Sequence, residues 1–393
     1  MKLFLSVTLC STLLMGAQVV QVGERFENSQ QCRTCHNRIV SEWSHSWHAK
    51  SHYNNDEYFQ KSIDYVSRKS RKSLNAVKVQ CATCHNPRIS VTSTDESYEI
   101  AAVMELDNDS EVNKAVDDNS ISEGVNCVVC HNIDKIHDEY DETKRGIDRV
   151  EWTPSGTMTG PYQDAKSPYH KTIHHDFMDK TPNKLCFVCH ANDRSIKGVV
   201  FTNMQKEYKG NQSCVECHMG ERHKDVAATY QYNGKTKIRD VRHHGFAGAH
   251  TKKLWKDALS LQLSQTDENL IITINNPQPH NIPSGFGARE ILVHIEYRNS
   301  KKVLKRSNIS LSRNYTRKRN KITIPHLALQ QTKDLSIPAK GKRVLKHPKL
   351  LGATEAKVTL YYRLVNTTVY NLLDLKEKKW REKYLITSKT LKL

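Results

Sequence analysis

Cys127-Val128-Val129-Cys130-His131 decides the class of this chain, because the same pattern recurs four more times. It stands at Cys32-Arg33-Thr34-Cys35-His36, Cys81-Ala82-Thr83-Cys84-His85, Cys186-Phe187-Val188-Cys189-His190 and Cys214-Val215-Glu216-Cys217-His218. These units use ten of the 11 cysteines, and the remaining one, Cys10, lies in an N-terminal apolar run. Cys-x-x-Cys-His is the attachment signature of c-type haem. Residues three and four apart share one face of a helical turn. Both thiols can therefore reach the two vinyl groups of one porphyrin edge and form thioethers, while the adjoining imidazole turns to the iron. Histidine is a standard axial ligand, and the second ligand tunes the potential. The expected cofactors are five covalently bound c-type haems. Cys32, Cys35, Cys81, Cys84, Cys127, Cys130, Cys186, Cys189, Cys214 and Cys217 would anchor them, with His36, His85, His131, His190 and His218 as proximal ligands.

Other uses of paired cysteines fit less well. Structural zinc takes four ligands, usually from two Cys-x-x-Cys pairs, and an odd number of pairs each followed by His does not suit it. Thioredoxin-like pairs belong to a βαβ pattern, which this sequence lacks. Disulfides within each unit would leave five identically placed histidines unexplained.

Outward from the motifs, composition sets further bounds. The chain has 393 residues, of which 37% are hydrophobic, below the usual globular share; haem discs would supply the missing apolar surface. Met1-Lys2 followed by the apolar run Leu3 to Leu14 and the small pair Gly16-Ala17 reads as a signal peptide over residues 1–17. The run falls short of the ~20 apolar residues that a membrane span needs, and Cys10 follows Leu9 inside it rather than a small residue, which argues against a lipoprotein. The expectation is an exported, soluble, periplasmic protein. The net charge of +18 would ordinarily raise nucleic-acid binding. The export signal and the spread of Lys and Arg along the whole length exclude it, and about ten haem propionates, ionised at neutral pH, would offset part of the charge.

Between residues 18 and 250 the sequence predicts a pentahaem cytochrome domain, mainly α-helix and loop, with a haem-dominated core. Short helices are expected at each motif and over Glu57 to Val66 and Glu96 to Leu106. From 251 to 393 the pattern changes to alternation with period two: Leu259, Leu261 and Leu263; Leu270, Ile272 and Ile274; Ile291, Val293, Ile295 and Tyr297; Val358, Leu360, Tyr362 and Leu364. Short strands between turn residues predict a β-sandwich-like C-terminal domain.

Bis-His coordination of five haems needs five further histidines, and 15 lie outside the motifs. A lone His is ordinarily solvated or hydrogen-bonded, the reading given to His294, His326 and His347. Others stand out by context. His45, His48 and His52 follow the first motif. His137 lies just beyond the third, and His170, His174 and His175 precede the fourth. His244 and His250 bracket Phe246 and Gly248, and His280 sits in the rigid turn Pro279-His280-Asn281-Ile282-Pro283-Ser284-Gly285. The preferred distal set is His48, His137, His174, His250 and His280, with His45, His52, His170, His175 and His244 as alternates. His280 could reach across from the β-domain and tie the two domains together.

These stretches resemble the multihaem family of the tetrahaem cytochrome c-554 and hydroxylamine oxidoreductase type. The likeness rests on Trp43-x-x-Ser46-x-His48-Ala49, on Glu123-Gly124-Val125-x-Cys127 with His137 beyond it, and on Cys217-His218-Met219 followed by His244-x-Phe246-x-Gly248-x-His250. The turn His280-x-x-Pro283-x-Gly285 resembles one in β-domains attached to such cytochromes. The resemblance implies distal ligation by His48 and His137. Five motifs are neither the four of the carrier nor the eight of the oxidoreductase, and no Cys-x-x-Cys-Lys is present.

The function expected is electron transfer along a closely packed haem array between redox partners, such as a quinol-oxidising cytochrome and a terminal reductase. The alternative is a multihaem reductase or oxidoreductase acting on a small nitrogen or sulfur compound at one five-coordinate haem; no catalytic residue is identified. Basic clusters at Arg68 to Lys72, Arg317 to Lys321 and Lys376 to Lys383 read as solvated surface or as docking sites for an acidic partner or a membrane surface. Trp380 within the last cluster slightly favours contact with something.

Overall fold

The computed structural model describes residues 28–137, 144–232 and 235–393. The expected signal segment 1–17, with Cys10, lies outside the described residues. Each motif occupies a helix that stops at or near its histidine. The first is in Gln30–Ser44, where the helix breaks at His36 (φ −112°, ψ 36°) before resuming. The second closes Leu74–His85, the third is the single turn Cys127–His131, the fourth closes Asn183–His190, and the fifth is Cys214–His218. Polar caps start two of these motif helices and one other: Ser73 Oγ accepts from Ala76 N–H, Asn126 Oδ1 from Val129 N–H, and Asp56 Oδ1 from Tyr58 and Phe59 N–H at the head of Glu57–Ser70. Such caps satisfy donors that have no partner within the helix.

The helix Glu57–Ser70 runs four residues past the expected Val66 and ends at Arg71 in the left-handed conformation (φ 63°). Its buried residues Phe59, Ile63 and Val66 follow one helical stripe. The helix Glu96–Val103 stops short of the expected Leu106. A hairpin of His223–Tyr232 with Lys235–Val241 was not expected from the sequence, and it lies along the first-motif helix.

All four expected strands are present in the C-terminal region. Ser260–Gln265, Asn269–Asn275 and Lys342–Pro348 form a three-stranded antiparallel sheet with Asn269–Asn275 in the middle. The second sheet runs in the order Lys321–Ile322, Lys302–Arg317, Glu290–Asn299, Glu355–Arg363, Tyr384–Lys392, and Gln330–Asp334 also pairs with Lys302–Arg317. Leu270, Ile272 and Ile274 of the first sheet and Ile291, Val293, Ile295, Val358 and Leu360 of the second are fully buried in one cluster. Branched and aromatic residues alternating on a half-buried strand favour this arrangement.

The same cluster takes in Tyr58, Phe59, Ile63, Val66 and Val77 from the helical region, with Cys81 packed against it. The apolar core therefore crosses the expected boundary at Thr251. Trp380, read as a contact residue, is instead buried; its Nε1–H donates to Glu57 at 2.7 Å, because the indole belongs to the seam between the C-terminal segment and the helix Glu57–Ser70. Among the described residues, no helix is long and apolar enough to cross a membrane.

Candidate functional site

The motif helices are held by strands and loops from elsewhere in the chain. Nδ1 of His36 lies 2.7 Å from the carbonyl oxygen of Ala227, that of His131 2.8 Å from Thr159, and that of His218 2.6 Å from Ala247. Nδ1 of His85 lies 3.0 Å from Ser51 Oγ. A carbonyl acceptor fixes the proton on Nδ1 and leaves Nε2 with its lone pair free, the outer-shell device that orients metal-binding histidines.

Three motif imidazoles face a second imidazole. The ring centroids are 6.2 Å apart for His190 and His48, 6.4 Å for His131 and His244, and 6.3 Å for His218 and His280. An imidazole nitrogen bonds a first-row metal at about 2 Å and lies about 1.1 Å from its ring centre, so two imidazoles on opposite sides of one metal ion have centroids about 6 Å apart. Nδ1 of His244 is 3.0 Å from the Arg242 carbonyl oxygen and that of His280 is 2.9 Å from Asn281, which again frees Nε2.

Burial favours the neutral form, the one that binds metal, at His48, His85, His131, His190, His244 and His280. It holds His48 down to about 3, helped by the nearby His190 and His85. His190 is held at about 4 by burial and Arg289, and His244 at about 4 by burial and His131. His280 and His131 are lowered, burial leading in both. His85 is held at about 3 by burial, with His326 the leading neighbour, and Phe59 stacks on its ring at 4.0 Å.

The thiols also gather. Cys32 lies near Cys127, Cys84 near Cys189, and Cys186 near Cys214, each pair close enough for one thiol to perturb the other. The first motif thus abuts the third, the second the fourth, and the fourth the fifth. All ten described cysteines are free of disulfides. Thiols in adjacent turns, neutral imidazoles with a free nitrogen, and ring pairs at the metal-spanning spacing all suit covalently held haem.

Two of the stretches that suggested a family are docked on one another. Ser29 N–H and Oγ–H donate to the Glu123 carboxylate at 2.8 Å, Trp43 Nε1–H donates to Val125 O at 2.9 Å, and Val125 N–H donates to His48 O at 3.0 Å. Gly124 (φ +63°) is required here: a Cβ would stand 2.6 Å from His48 O. Phe246 adopts φ 47° and sets its ring against His48 at 4.4 Å and His244 at 6.0 Å. A bulky residue in that region is uncommon and concentrates at functional sites.

The remaining expected ligands lie elsewhere. His250 stacks on Trp47 at 3.5 Å, beside Trp380, and burial and Arg289 hold it at about 2. Within the segment bracketed by the two histidines, it is the alternate His244 rather than the preferred His250 that faces a motif imidazole. His137 Nε2 is 3.0 Å from Glu151, and His175 Nε2 is 3.1 Å from Asp134. His174 ends the short strand Lys171–His174, and His170 Nδ1 is 3.1 Å from Lys171 O. His45 is exposed with Nδ1 2.7 Å from Ser41 O, and buried His52 accepts from Asn54 N–H. Among the described residues no imidazole stands at the facing spacing from His36 or His85. His294 and His347 are hydrogen-bonded to Asn308 and Tyr297. His326 is not: its Nδ1 is sealed from solvent and has no partner. A lone His inside Ile322-Thr323-Ile324-Pro325-His326-Leu327-Ala328-Leu329 was the available signal for it.

Residues 31–132 match the family of cytochrome c554 and c-prime. No curated protein matches the sequence. The fold is similar to the crystal structure of a penta-heme cytochrome c552 from Thermochromatium tepidum, with a TM-score of 0.67 and 19% identity over 93% of this chain and 98% of that one.

Proposed function

We propose that this chain, whose residues 31–132 match the family of cytochrome c554 and c-prime, is an exported pentahaem electron carrier whose haems lie in one closely packed array between redox partners. The observation that carries this is the set of three opposed imidazole pairs at 6.2–6.4 Å, joined by thiols that bring neighbouring motifs into contact. When bound, c-type haem supplies one-electron chemistry at an iron whose potential follows its axial ligands and burial.

The ten motif cysteines anchor, and His36, His85, His131, His190 and His218 are the proximal ligands. His48, His244 and His280 are the distal partners of His190, His131 and His218. For His36 the candidates are His137, His170, His174 and His175, which gather beside the third motif. The carbonyls of Ala227, Thr159 and Ala247 orient the proximal rings, and Phe59 keeps water from His85. The two sheets act as a sandwich-like buttress that presents His280. The periplasm is the compartment, following from the signal peptide read over residues 1–17. Exposed basic residues at Arg68 to Lys72, Arg317 to Lys321 and Lys376 to Lys383 steer acidic faces of partners, a quinol-oxidising cytochrome or a terminal reductase, and such charge chiefly speeds encounter.

The test is a pyridine haemochrome assay with intact mass, followed by spectroelectrochemical titration of protein made in a cell competent in cytochrome maturation. Five haems that reduce and reoxidise reversibly are expected. Fewer haems, or an array that cannot exchange electrons with added redox proteins, would overturn the reading. One observation favours a second reading: His85 lacks a facing imidazole at the spacing of the other pairs among the described residues. An open iron there would bind a small nitrogen or sulfur compound and make the protein an oxidoreductase.

A further inference from the structure

The second motif has one unused histidine close by. His326 sits in the single turn Pro325–Leu327, which packs on the helix Glu57–Ser70. That helix carries Phe59, whose ring stacks on His85 at 4.0 Å. Ile324 and Leu327, on either side of His326, share a buried cluster with Phe59 and Val77, and Cys81 of the second motif packs against the same cluster. Arg145 bears on both His326 and Cys81, and His326 is the neighbour that bears most on His85.

The imidazole is walled by Phe201 at 4.7 Å and Phe286 at 6.0 Å. Its backbone is pinned by Ile196 N–H donating to His326 O at 3.0 Å. Nδ1 is closed to solvent and takes no hydrogen bond, whereas His244 and His280 each engage Nδ1 with a carbonyl. An orphaned buried nitrogen calls for an explanation, and binding of a metal ion through that Nδ1 is one of the few available.

We propose that His326 is the distal ligand of the haem held by Cys81, Cys84 and His85, delivered from the strand-rich region beside the second motif much as His280 is delivered to the fifth. The inference rests on the pentahaem reading and deepens it. With His326 bound, the second iron would be six-coordinate and closed to small molecules, so the open-iron alternative would lose the site given to it at His85.

The test uses ferric and reduced holoprotein. Electron paramagnetic resonance of the wild type should show only low-spin iron, and carbon monoxide should leave the reduced spectrum unchanged. His326→Ala should turn one haem per chain high-spin and open it to carbon monoxide, and added imidazole should return it to low spin. His326→Met keeps a ligand and should stay low-spin with a raised potential at one haem, which guards against a variant that fails to fold. A wild type that already holds a high-spin, carbon-monoxide-binding haem, with no further one appearing in the Ala variant, overturns the inference. So does an Ala variant with five haems and unaltered spin state, or a Met variant with every potential unchanged. The haem count on the same samples separates these outcomes from failure of the pentahaem reading, which a count below five would signal.

Discussion

His131 and His244 face each other with ring centroids 6.4 Å apart, while His250, in the same short segment, lies flat on Trp47 at 3.5 Å. Both histidines are half-buried, and desolvation favours the neutral form of each. Burial alone therefore does not mark a ligand; direction does. The segment is aimed by His244 N–H, which donates to Glu42 at 2.9 Å, and by Ala247 N–H, which donates to His218 O at 2.8 Å.

His244→Ala should leave one haem without its distal partner. One low-spin signal is expected to vanish from the ferric resonance spectrum, with a high-spin signal in its place. His250→Ala should keep the low-spin signals and lower the melting temperature, because it removes a ring from the Trp47 stack. If the two variants exchange these outcomes, the pairing with His131 is wrong.

Gly124→Ala places a methyl group against a carbonyl that cannot move without displacing His48. The site is at φ +63° and its Cβ would meet His48 O at 2.6 Å. Gly156 is a fair control, with φ +77° and nothing within 4 Å of its Cβ. Gly156→Ala should cost only the left-handed penalty, about 1–2 kcal/mol. Gly124→Ala should cost more, by roughly a further 1–3 kcal/mol, and should disturb the absorption of the haem facing His48. Thermal unfolding of the two variants checks this; equal losses would show that the chain at Gly124 and His48 can part freely.

The local part of this arrangement was legible in the sequence and the long-range part was not. Five short units announced five helical turns, and alternation at Leu270, Ile272 and Ile274 announced a strand that is fully buried on that face. Both signals lie within a few residues of the chain. Which imidazole faces which motif depends on contacts between distant segments. Spacing does not separate His244 from His250, since the two share one stretch, and the Arg242 carbonyl that orients His244 leaves no trace in it. In the sequence, the cysteines have ended and alternation begins near Thr251. Tyr58 and Phe59 cross that boundary because they complete an apolar face that the sheets alone leave open. Trp380 was read through its basic neighbours, yet its indole turns inward to the Glu57 carboxylate.

That inward turn makes Glu57 a clasp. Its carboxylate accepts from Lys376 N–H at 2.6 Å, Glu377 N–H at 2.9 Å and Trp380 Nε1–H at 2.7 Å. Trp380→Ala empties a buried aromatic site and should cost about 3–5 kcal/mol. Glu57→Gln retains the shape but weakens charge-assisted bonds, and should cost about 1–2 kcal/mol. Both should speed proteolysis between Lys376 and Lys383 relative to wild type while the haem count stays the same. Unchanged cleavage in both variants would mean that the segment is held by something other than this clasp.

The pH dependence of stability carries one signature that is clear of the haem ligands. Glu296 on the strand Glu290–Asn299 is bonded by Arg306 and Arg298, the Arg306 Nε contact being 2.9 Å, and these bonds hold its carboxyl at about 2, below the ordinary 4.5. A depressed carboxylate binds fewer protons when folded than when unfolded. Its contribution is therefore full above pH 4.5 and fades as the pH falls from there through about 2. Partly exposed pairs of this kind contribute less than about 1 kcal/mol. Glu296→Gln should be slightly less stable than wild type at pH 6, and the gap should narrow at pH 3 and close below pH 2. Denaturant midpoints for both proteins across that range measure the gap directly; a gap that holds constant down to pH 2 would show that Glu296 does not titrate as these bonds require.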